Sequence, residues 1–429
     1  MNKIILFMLL FFFISATFAT AFTSVSASEL VEDSWNTMAP MNHARAHLGV
    51  VAVDSKIYAI GGSLAVVPIL NDGTLNASIY MATNECYDPK TNTWITLTSM
   101  PTPRYDFAIA ACEGKIYCIG GYGYTEKGLT YSPLTVNEAY DIATDSWSTK
   151  AAIPFSGGQT EAQVVDGKIF VIDEDLNTLF MYDPVTDLWI TKTSMPNRGA
   201  GLALDVVEGK IIVTGKFYSN RESGVSRDLK VWIYTPEVDT WREGTAGYRT
   251  TDSFAAGATT GLYASQKFYV FCGDGATKAT FVYDPVDDVW STVKARPAGR
   301  WSFGVAVVDD VFYVIGGFTE GFTDKNPGPS PPSSLNEQYV PLGYQGALSS
   351  DPGSLLDNLV LVGVVVVAVA AVAVAGTLLF FFKNKGKNKE QPLAYLTSVS
   401  TLLAFNFALF PLVFILNWRV LLQYPYFSS

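Results

Sequence analysis

The chain has 429 residues, 49% of them hydrophobic and 16% charged, with a formal net charge of −11. That composition excludes a disordered chain, and the length allows one large domain or two to three ordinary ones around a sizeable core. The acidic balance excludes nucleic acid as a partner, because phosphate backbones demand basic surface.

In chain order, the first element is a leader. Lys3, an apolar run over residues 4–13 and small residues around Val25-Ser26-Ala27 have the layout of a secretory signal over residues 1–28, so the remainder is expected to be exported. The apolar character continues to Phe22, which leaves a retained anchor as the other reading.

A repeat then begins. The runs KIYAIGG (56–62), KIYCIGG (115–121), KIFVIDE (168–174), KIIVTGK (210–216), KFYVFCG (267–273) and VFYVIGG (311–317) are one element recurring six times. A stricter element accompanies them: tyrosine precedes tryptophan by seven residues at Tyr87/Trp94, Tyr140/Trp147, Tyr182/Trp189, Tyr234/Trp241 and Tyr283/Trp290. The residues between are turn formers, including Asp88, Asp141, Asp183 and Asp284, so each pair spans a β-hairpin. Another apolar stretch lies upstream of each run, as in FAIAAC (107–112) and FGVAVV (303–308), giving four strands per unit. Units of four strands, with tryptophans 42 to 59 residues apart, predict a β-propeller.

On these residues the chain resembles the kelch family, whose repeat carries a glycine pair after the second strand, then a tyrosine, a six-residue gap and a tryptophan. The resemblance covers about residues 31–345 and implies an all-β, six-bladed kelch-type propeller over 29–342. Units 3, 4 and 5 depart from the pattern, with Asp173-Glu174, Gly215-Lys216 and Cys272-Gly273 in place of the glycine pair. Two orphans complete each other: Tyr339 has no tryptophan seven residues later, and Trp35 has no tyrosine seven residues before. Residues 31–36 are therefore expected to supply the outer strand of the last unit.

In such a fold the longer connections at 63–81, 122–135, 217–228 and 318–334 fall on one face, which makes that face the candidate for binding. The segments entering each first strand open on the same face. They carry the candidate ligand-binding residues Arg45, His47, Arg104, Tyr105, Arg198, Arg300 and Trp301. Arginines there could attract a carboxylate, a phosphate or an acidic peptide, and the resemblance implies this last use, since some kelch relatives hold acidic peptides with arginines. The alternative is structural. Arg45, Arg104 and Arg300 occur in the same three units as the glycine pair and the dipeptides Asn84-Glu85, Asn137-Glu138 and Asn336-Glu337, which suggests an arginine–glutamate pair inside each blade. Tyr105 and Trp301 have no such structural reason.

Catalytic signatures are absent: there is no P-loop, G-x-S-x-G or H-E-x-x-H. The two histidines, His43 and His47, are too few for a multi-histidine metal site and read as surface residues. Asp173-Glu174-Asp175 reads as a solvated acidic turn rather than a calcium site. Cys86, Cys112, Cys118 and Cys272 form no CxxC and are expected to be buried thiols, although a bridge between Cys112 and Cys118 is conceivable. Asn76-Ala77-Ser78 is a glycosylation sequon. No cofactor, metal or catalytic residue is expected.

After a linker (343–358), residues 359–382 are uncharged over more than the ~20 residues needed to span a bilayer, and the basic segment 383–392 follows. The positive-inside rule places that segment in the cytoplasm and everything before it outside. Residues 393–417 are again uncharged but contain Asn406 and Pro411, which fits either a second span or an interfacial segment before the tail 418–429. The sequence thus favours a membrane-anchored, non-catalytic module at the cell surface that recognises a protein or glycan. The alternative is an exported sugar-processing enzyme resembling kelch-type epimerases or mutarotases.

Overall fold

The computed structural model of the chain describes residues 30–64, 80–125, 128–155, 158–174, 176–217, 230–247, 254–273, 278–319 and 331–345. The leader, Asn76, Asp175, the linker beyond 345 and both candidate spans lie outside the described residues. The chain divides into two compact units, Met1–Ala347 and Leu348–Ser429, and all described residues belong to the first. Among them no helix is long and apolar enough to cross a membrane.

All the regular elements described are β-strands, and they form six four-stranded antiparallel sheets and one small three-stranded sheet. Sheet 1 runs from Gly49–Val53 through Lys56–Ile60 and Asn84–Asp88 to Thr93–Leu97, and sheets 2 to 5 repeat that order. The sixth is assembled from both ends of the unit: Gly304–Val308, Val311–Ile315 and Asn336–Val340 are completed by Ser34–Thr37. In that pairing Trp35 stands opposite Tyr339, the register that Trp94 and Tyr87 have in sheet 1.

Packing arranges the sheets in a ring. Their first strands neighbour one another in cyclic order, the first strand of sheet 6 lying against that of sheet 1. The core is correspondingly six wedges, each filled from two successive sheets. In the wedge between sheets 6 and 1, for example, Val50, Ile57 and Tyr87 meet Val311, Tyr313 and Ile315. Second and third strands are therefore buried on both faces, which is why KIYAI and its equivalents are almost continuously apolar.

The tyrosine-tryptophan hairpin joins one wedge to the next. Each tyrosine hydroxyl donates to an Asx side chain at 2.5–2.9 Å: Tyr87 to Asn92, Tyr140 to Asp145, Tyr182 to Asp187, Tyr234 to Asp239, Tyr283 to Asp288 and Tyr339 to Asp33. The same Asx oxygen accepts, at 2.8–3.0 Å, the backbone N–H of one residue just past the outer strand of the preceding sheet. The C=O of that residue accepts the indole N–H of the matching tryptophan at 2.8–3.1 Å. So Ala39, Thr98, Ala151, Thr193, Thr245 and Lys294 are each gripped at both polar groups by the next sheet. The Asx residues all adopt a positive φ between 48° and 58°, a conformation that asparagine and aspartate tolerate better than other side chains with a Cβ.

Two other regularities follow from register. In three sheets the lysine at the start of the second strand faces the aspartate that starts the hairpin turn: Lys115–Asp141, Lys168–Asp183 and Lys267–Asp284. Each aspartate also accepts backbone N–H groups of its own turn, as Asp88 does from Lys90 and Asp183 from Val185.

The segment 122–135, expected to be a loop, contains a hairpin instead. Tyr122–Thr125 pairs with Gly128–Pro133 and with Arg104–Tyr105, giving the three-stranded sheet. Its tyrosines and threonines favour extended backbone, a local preference hidden in the sequence by the interspersed glycines. All four cysteines are buried free thiols.

Replacing Asp33 by alanine would strand the Tyr339 hydroxyl and the Lys294 N–H together, at about 1–3 kcal/mol for each group left unsatisfied. Asp33→Ala should therefore lower the melting temperature by several degrees in a circular-dichroism melt, while Asp33→Asn, which copies Asn92, should melt close to the parent protein. Equal melts for all three proteins would show that the closing strand carries no load.

Candidate functional site

The connections after each second strand and before each first strand open on one face of the ring, and the arginine segments lie there. In sheets 1, 2 and 6 the arginine and its surroundings form one device. Arg45 pairs with Glu85, Arg104 with Glu138 and Arg300 with Glu337, and all six side chains are buried. Each guanidinium also donates to backbone carbonyls: Arg45 to His43 and Ala59, Arg104 to Val136, Arg300 to Gly316 and Val314. Burial pulls the pKa of all three guanidiniums down, and the partner glutamates oppose it. The candidate ligand contacts at Arg45, Arg104 and Arg300 are thereby corrected: the charges are spent inside the sheets, and no solvent-borne anion reaches them.

The glycine pair belongs to the same device. Gly62, Gly121 and Gly317 have φ of 102°, 83° and 92°, and a Cβ on each would come within 2.7 Å of the carbonyl oxygen of Ala46, Tyr105 and Trp301 respectively. The arginine segment can lie against the end of the second strand only if no side chain intervenes. In sheets 3, 4 and 5 an aromatic takes the place of the glutamate: Phe180, Trp232 and Phe281 stand two residues before their repeat tyrosines and are buried. Arg198 is exposed at the entry to sheet 4 and does not belong to this set.

Arg296 was not singled out by the sequence. It sits six residues after Trp290, where four of the other units have Met41, Met100, Ile153 and Met195, and its N–H bonds Lys278 as Met100 bonds Ala82. Its buried guanidinium donates to the carbonyls of Cys272 and Arg300 and lies 4.4 Å from the Phe303 ring.

The residue after each arginine is different in kind. Ala46, Tyr105 and Trp301 pair in the same way with the residue that follows the glycine pair, namely Ser63, Tyr122 and Phe318. The backbone is thus identical while the side chain ranges from a methyl to an indole, so the fold does not require Tyr105 or Trp301. The next residues, His47, Asp106 and Ser302, share a positive φ of 50–53°. They link the rim by backbone hydrogen bonds, His47 N–H to Ser302 and Asp106 N–H to His47.

Over the small Ala46, the His47 imidazole meets Tyr105, Trp301 and Phe318 edge-on, at centroid distances of 5.4, 5.6 and 5.5 Å. Tyr105 stacks between Tyr80 and Tyr122. His47 Nδ1 lies 2.6 Å from Asp106 Oδ1, and both side chains are largely covered. The expectation that the histidines are surface residues is corrected for His47 on this ground; His43 is half exposed and bonds Glu85 at 3.0 Å.

Asp106 is the carboxylate that meets this group, through His47. Burial, with Glu174 and Asp106 nearby, pushes the Glu161 carboxyl well above the usual carboxylate range. Glu174 is buried and accepts the N–H groups of Gly201 and Leu202, and Asp173 accepts that of Leu176, so this turn is not the solvated one expected from sequence. Among the described residues no group of histidine, cysteine, aspartate and glutamate could hold a metal ion.

Along the axis of the ring lies a cavity of about 500 Å³ lined from all six first strands, mostly by valine, alanine and isoleucine, with Gln163, Asp205 and Thr259 among them. Burial raises the Asp205 carboxyl to about 6, against hydrogen bonds from the Val206 N–H and from the N–H and hydroxyl of Thr259.

A family described as the kelch motif matches residues 44–101 and 103–152. The human "Kelch repeat and BTB domain-containing protein 13" is 31% identical over 146 residues, 33% of this chain and 28% of that protein. "Kelch-like protein 15" of Danio rerio is 25% identical over 255 residues, 54% of this chain and 33% of that protein. "Beta-scruin" of Limulus polyphemus is 30% identical over 139 residues, 32% of this chain and 14% of that protein. The chain therefore spans about a third or less of these curated relatives. Among solved structures, "Structure of YjhT" superposes with a TM-score of 0.53 at 14% identity, covering 70% of this chain and 95% of that one, a likeness of fold alone.

The span matched by the motif contains both Arg45–Glu85 and Arg104–Glu138. Removing one partner of such a buried pair costs about 3–5 kcal/mol, whereas an apolar replacement of both is far milder. In urea denaturation Glu138→Ala should show that loss, and adding Arg104→Met should recover most of it. If the double variant is no more stable than the single one, the charge of Arg104 is not held in place by Glu138.

Proposed function

We propose that this chain, which carries kelch repeats, is a six-bladed propeller acting as a non-catalytic recognition module. It binds a partner protein through the face that bears the long connections. The observation that supports this most is the position after each arginine. The blade tolerates alanine there, yet two of the three equivalents are large aromatics, and they converge on His47 at the rim of the axial channel. Aromatic side chains of this kind, held by rigid backbone, serve well as anchors in protein interfaces.

The module is membrane-anchored at the cell surface, with residues 359–382 as the span and 383–392 in the cytoplasm. The leader, the uncharged run and the lysines that follow it all support that orientation. Protease added to intact cells should then degrade the propeller and spare an epitope placed within 383–392; the reverse pattern would overturn the topology.

An array of extracytoplasmic proteins and glycans, probed with the full chain, tests the recognition face. A protein partner should lose about tenfold or more in affinity with Trp301→Ala, in the range expected for aromatic hot spots, while the melting temperature moves little. Binding that ignores this substitution would place recognition elsewhere, and glycan-only binding would change the partner class.

One observation favours a second reading, an exported sugar-processing enzyme. Burial raises the Glu161 carboxyl well above the usual carboxylate range, and Asp106 of the His47–Asp106 pair acts on it, so a candidate acid and base share one rim. Catalysed exchange of aldose anomers, followed by NMR, would establish it. The arginines withdrawn into the blades count against it.

A further inference from the structure

The face opposite the long connections carries the turns within each sheet, first strand to second near the axis and third strand to fourth toward the perimeter. Each outer turn runs from the repeat tyrosine to the Asx residue, and the third or fourth residue after the tyrosine forms its tip. In sheets 3, 4 and 5 that tip is Val185, Val238 and Val286; in sheet 6, where the chain leaves instead of turning, Leu342 stands at the same distance from Tyr339. These four side chains are between 50% and 79% exposed. Sheets 1 and 2 have Lys90 and Ala143 three residues after their tyrosines. A turn tip has no core to pack against, and valine is not among the residues that turns select. Single exposed apolar residues need no explanation, but the same choice in four consecutive sheets does.

Both ends of the ring leave from this face, beside those tips. The Gly343 N–H donates to Glu32 at 2.6 Å and so holds the two ends together, with the exposed Val31 next to them. The Gln345 N–H donates at 3.0 Å to the C=O of Tyr263, which lies in the connection between Thr259 and Phe268. The other five sheets turn from first to second strand in two residues; this longer connection projects on the same face. Asp310 fixes it by accepting the N–H groups of Leu262, Tyr263 and Ala264 at 2.5–2.8 Å, and the Leu262 side chain stands exposed on it. From Gln345 onward, residues 346–358, which fully extended reach at most about 45 Å, lead to the uncharged run 359–382.

We propose that the short-turn face, along the arc of sheets 3 to 6, rests on the membrane surface, with its aliphatic tips in the headgroup layer of zwitterionic lipid. The long-loop face is then directed away from the bilayer, toward a partner. This rests on reading 359–382 as a span and adds how the ring is held above it. Interfacial contact of this kind scales with the apolar area inserted and with the charge of the lipid. Here the charge excludes an anionic surface, because Asp54, Glu113, Asp166 and Glu208 stand exposed at the first-to-second turns of the same face. Those acids also make a second copy of the chain a poor occupant, since a two-fold contact through this face sets like charges against each other.

The test uses the full chain in phosphatidylcholine vesicles, labelled with an environment-sensitive fluorophore at one introduced cysteine; the four native thiols are buried. Spin-labelled lipid should quench the label several-fold more strongly at Val286→Cys and at Val185→Cys than at Arg198→Cys on the long-loop face. Replacing half of the lipid by phosphatidylserine should reduce the quenching at 286. Val238→Asp with Val286→Asp should reduce it at a label on 185 while the circular-dichroism melt stays that of the parent, since both positions are exposed. Equal quenching at 286 and 198, or stronger quenching at 198, overturns the proposal. So does a label at 286 that is shielded from water, unquenched by lipid and uncovered on dilution of the protein, because a second copy then occupies the face. Extraction with alkaline carbonate separates this failure from that of the underlying reading. A chain that resists extraction but is not quenched at 286 keeps its span and loses the proposal, whereas a chain that carbonate strips from the vesicles has no span, and the proposal falls with it.

Discussion

One residue per sheet, held at its N–H by an Asx oxygen and at its C=O by an indole N–H from the next sheet, is the constraint on which the rest of the ring depends. A sheet buried on both faces presents apolar surface to two neighbours, and apolar contact alone is non-directional. The paired hydrogen bonds supply direction. They fix how far each sheet is rotated against the last, and they recur at all six junctions, including the one made by Asp33 and Trp35. Because the Asx residue must also sit in left-handed backbone, three demands meet at one position: turn geometry, an acceptor for the tyrosine and an acceptor for the neighbouring peptide.

That junction separates the residues that build the ring from those left over for recognition. Arginine, glutamate and glycine pair turn out to be a single structural unit, since the arginine backbone rests on the glycines and its side chain is neutralised by the glutamate. The rim therefore holds several basic residues in sequence but little available positive charge in space. What it offers instead is aromatic side chains at a position where alanine suffices, gathered around the His47–Asp106 pair.

Much of this was legible in the sequence because it recurs. The tyrosine-tryptophan spacing marks the hairpin, and the orphaned Trp35 and Tyr339 mark the seam. The mostly joint loss of arginine and glutamate in sheets 3 to 5, with Arg198 as the exception, points to their contact. Less legible was whatever depends on one sheet meeting another. Nothing near Trp94 says that its indole reaches Ala39, and Glu161 in TEAQVV looks like any polar residue of an amphipathic strand until the ring brings Asp106 and Glu174 beside it. Arg296 was hidden for a related reason: it occupies a position held by methionine or isoleucine in four of the other units, so no pattern announced a charge there. The hairpin in 122–133 escaped because its strands lie outside the repeating four-strand pattern, in a connection whose glycines read as loop.

The seam between Ser34–Thr37 and Asn336–Val340 also sets the order in which the molecule can form. Sheets 1 to 5 consist of contiguous segments and can assemble as the chain leaves the ribosome. The strand at Ser34–Thr37 must wait until some three hundred further residues have been made, and the entropy of closing so long a loop is met only at the end. Until then the Asn336–Val340 edge and the first strand of the chain are both unpaired, and each is a template for the wrong partner, including the same segment of another nascent copy. The step that closes the ring is thus the one that must come last.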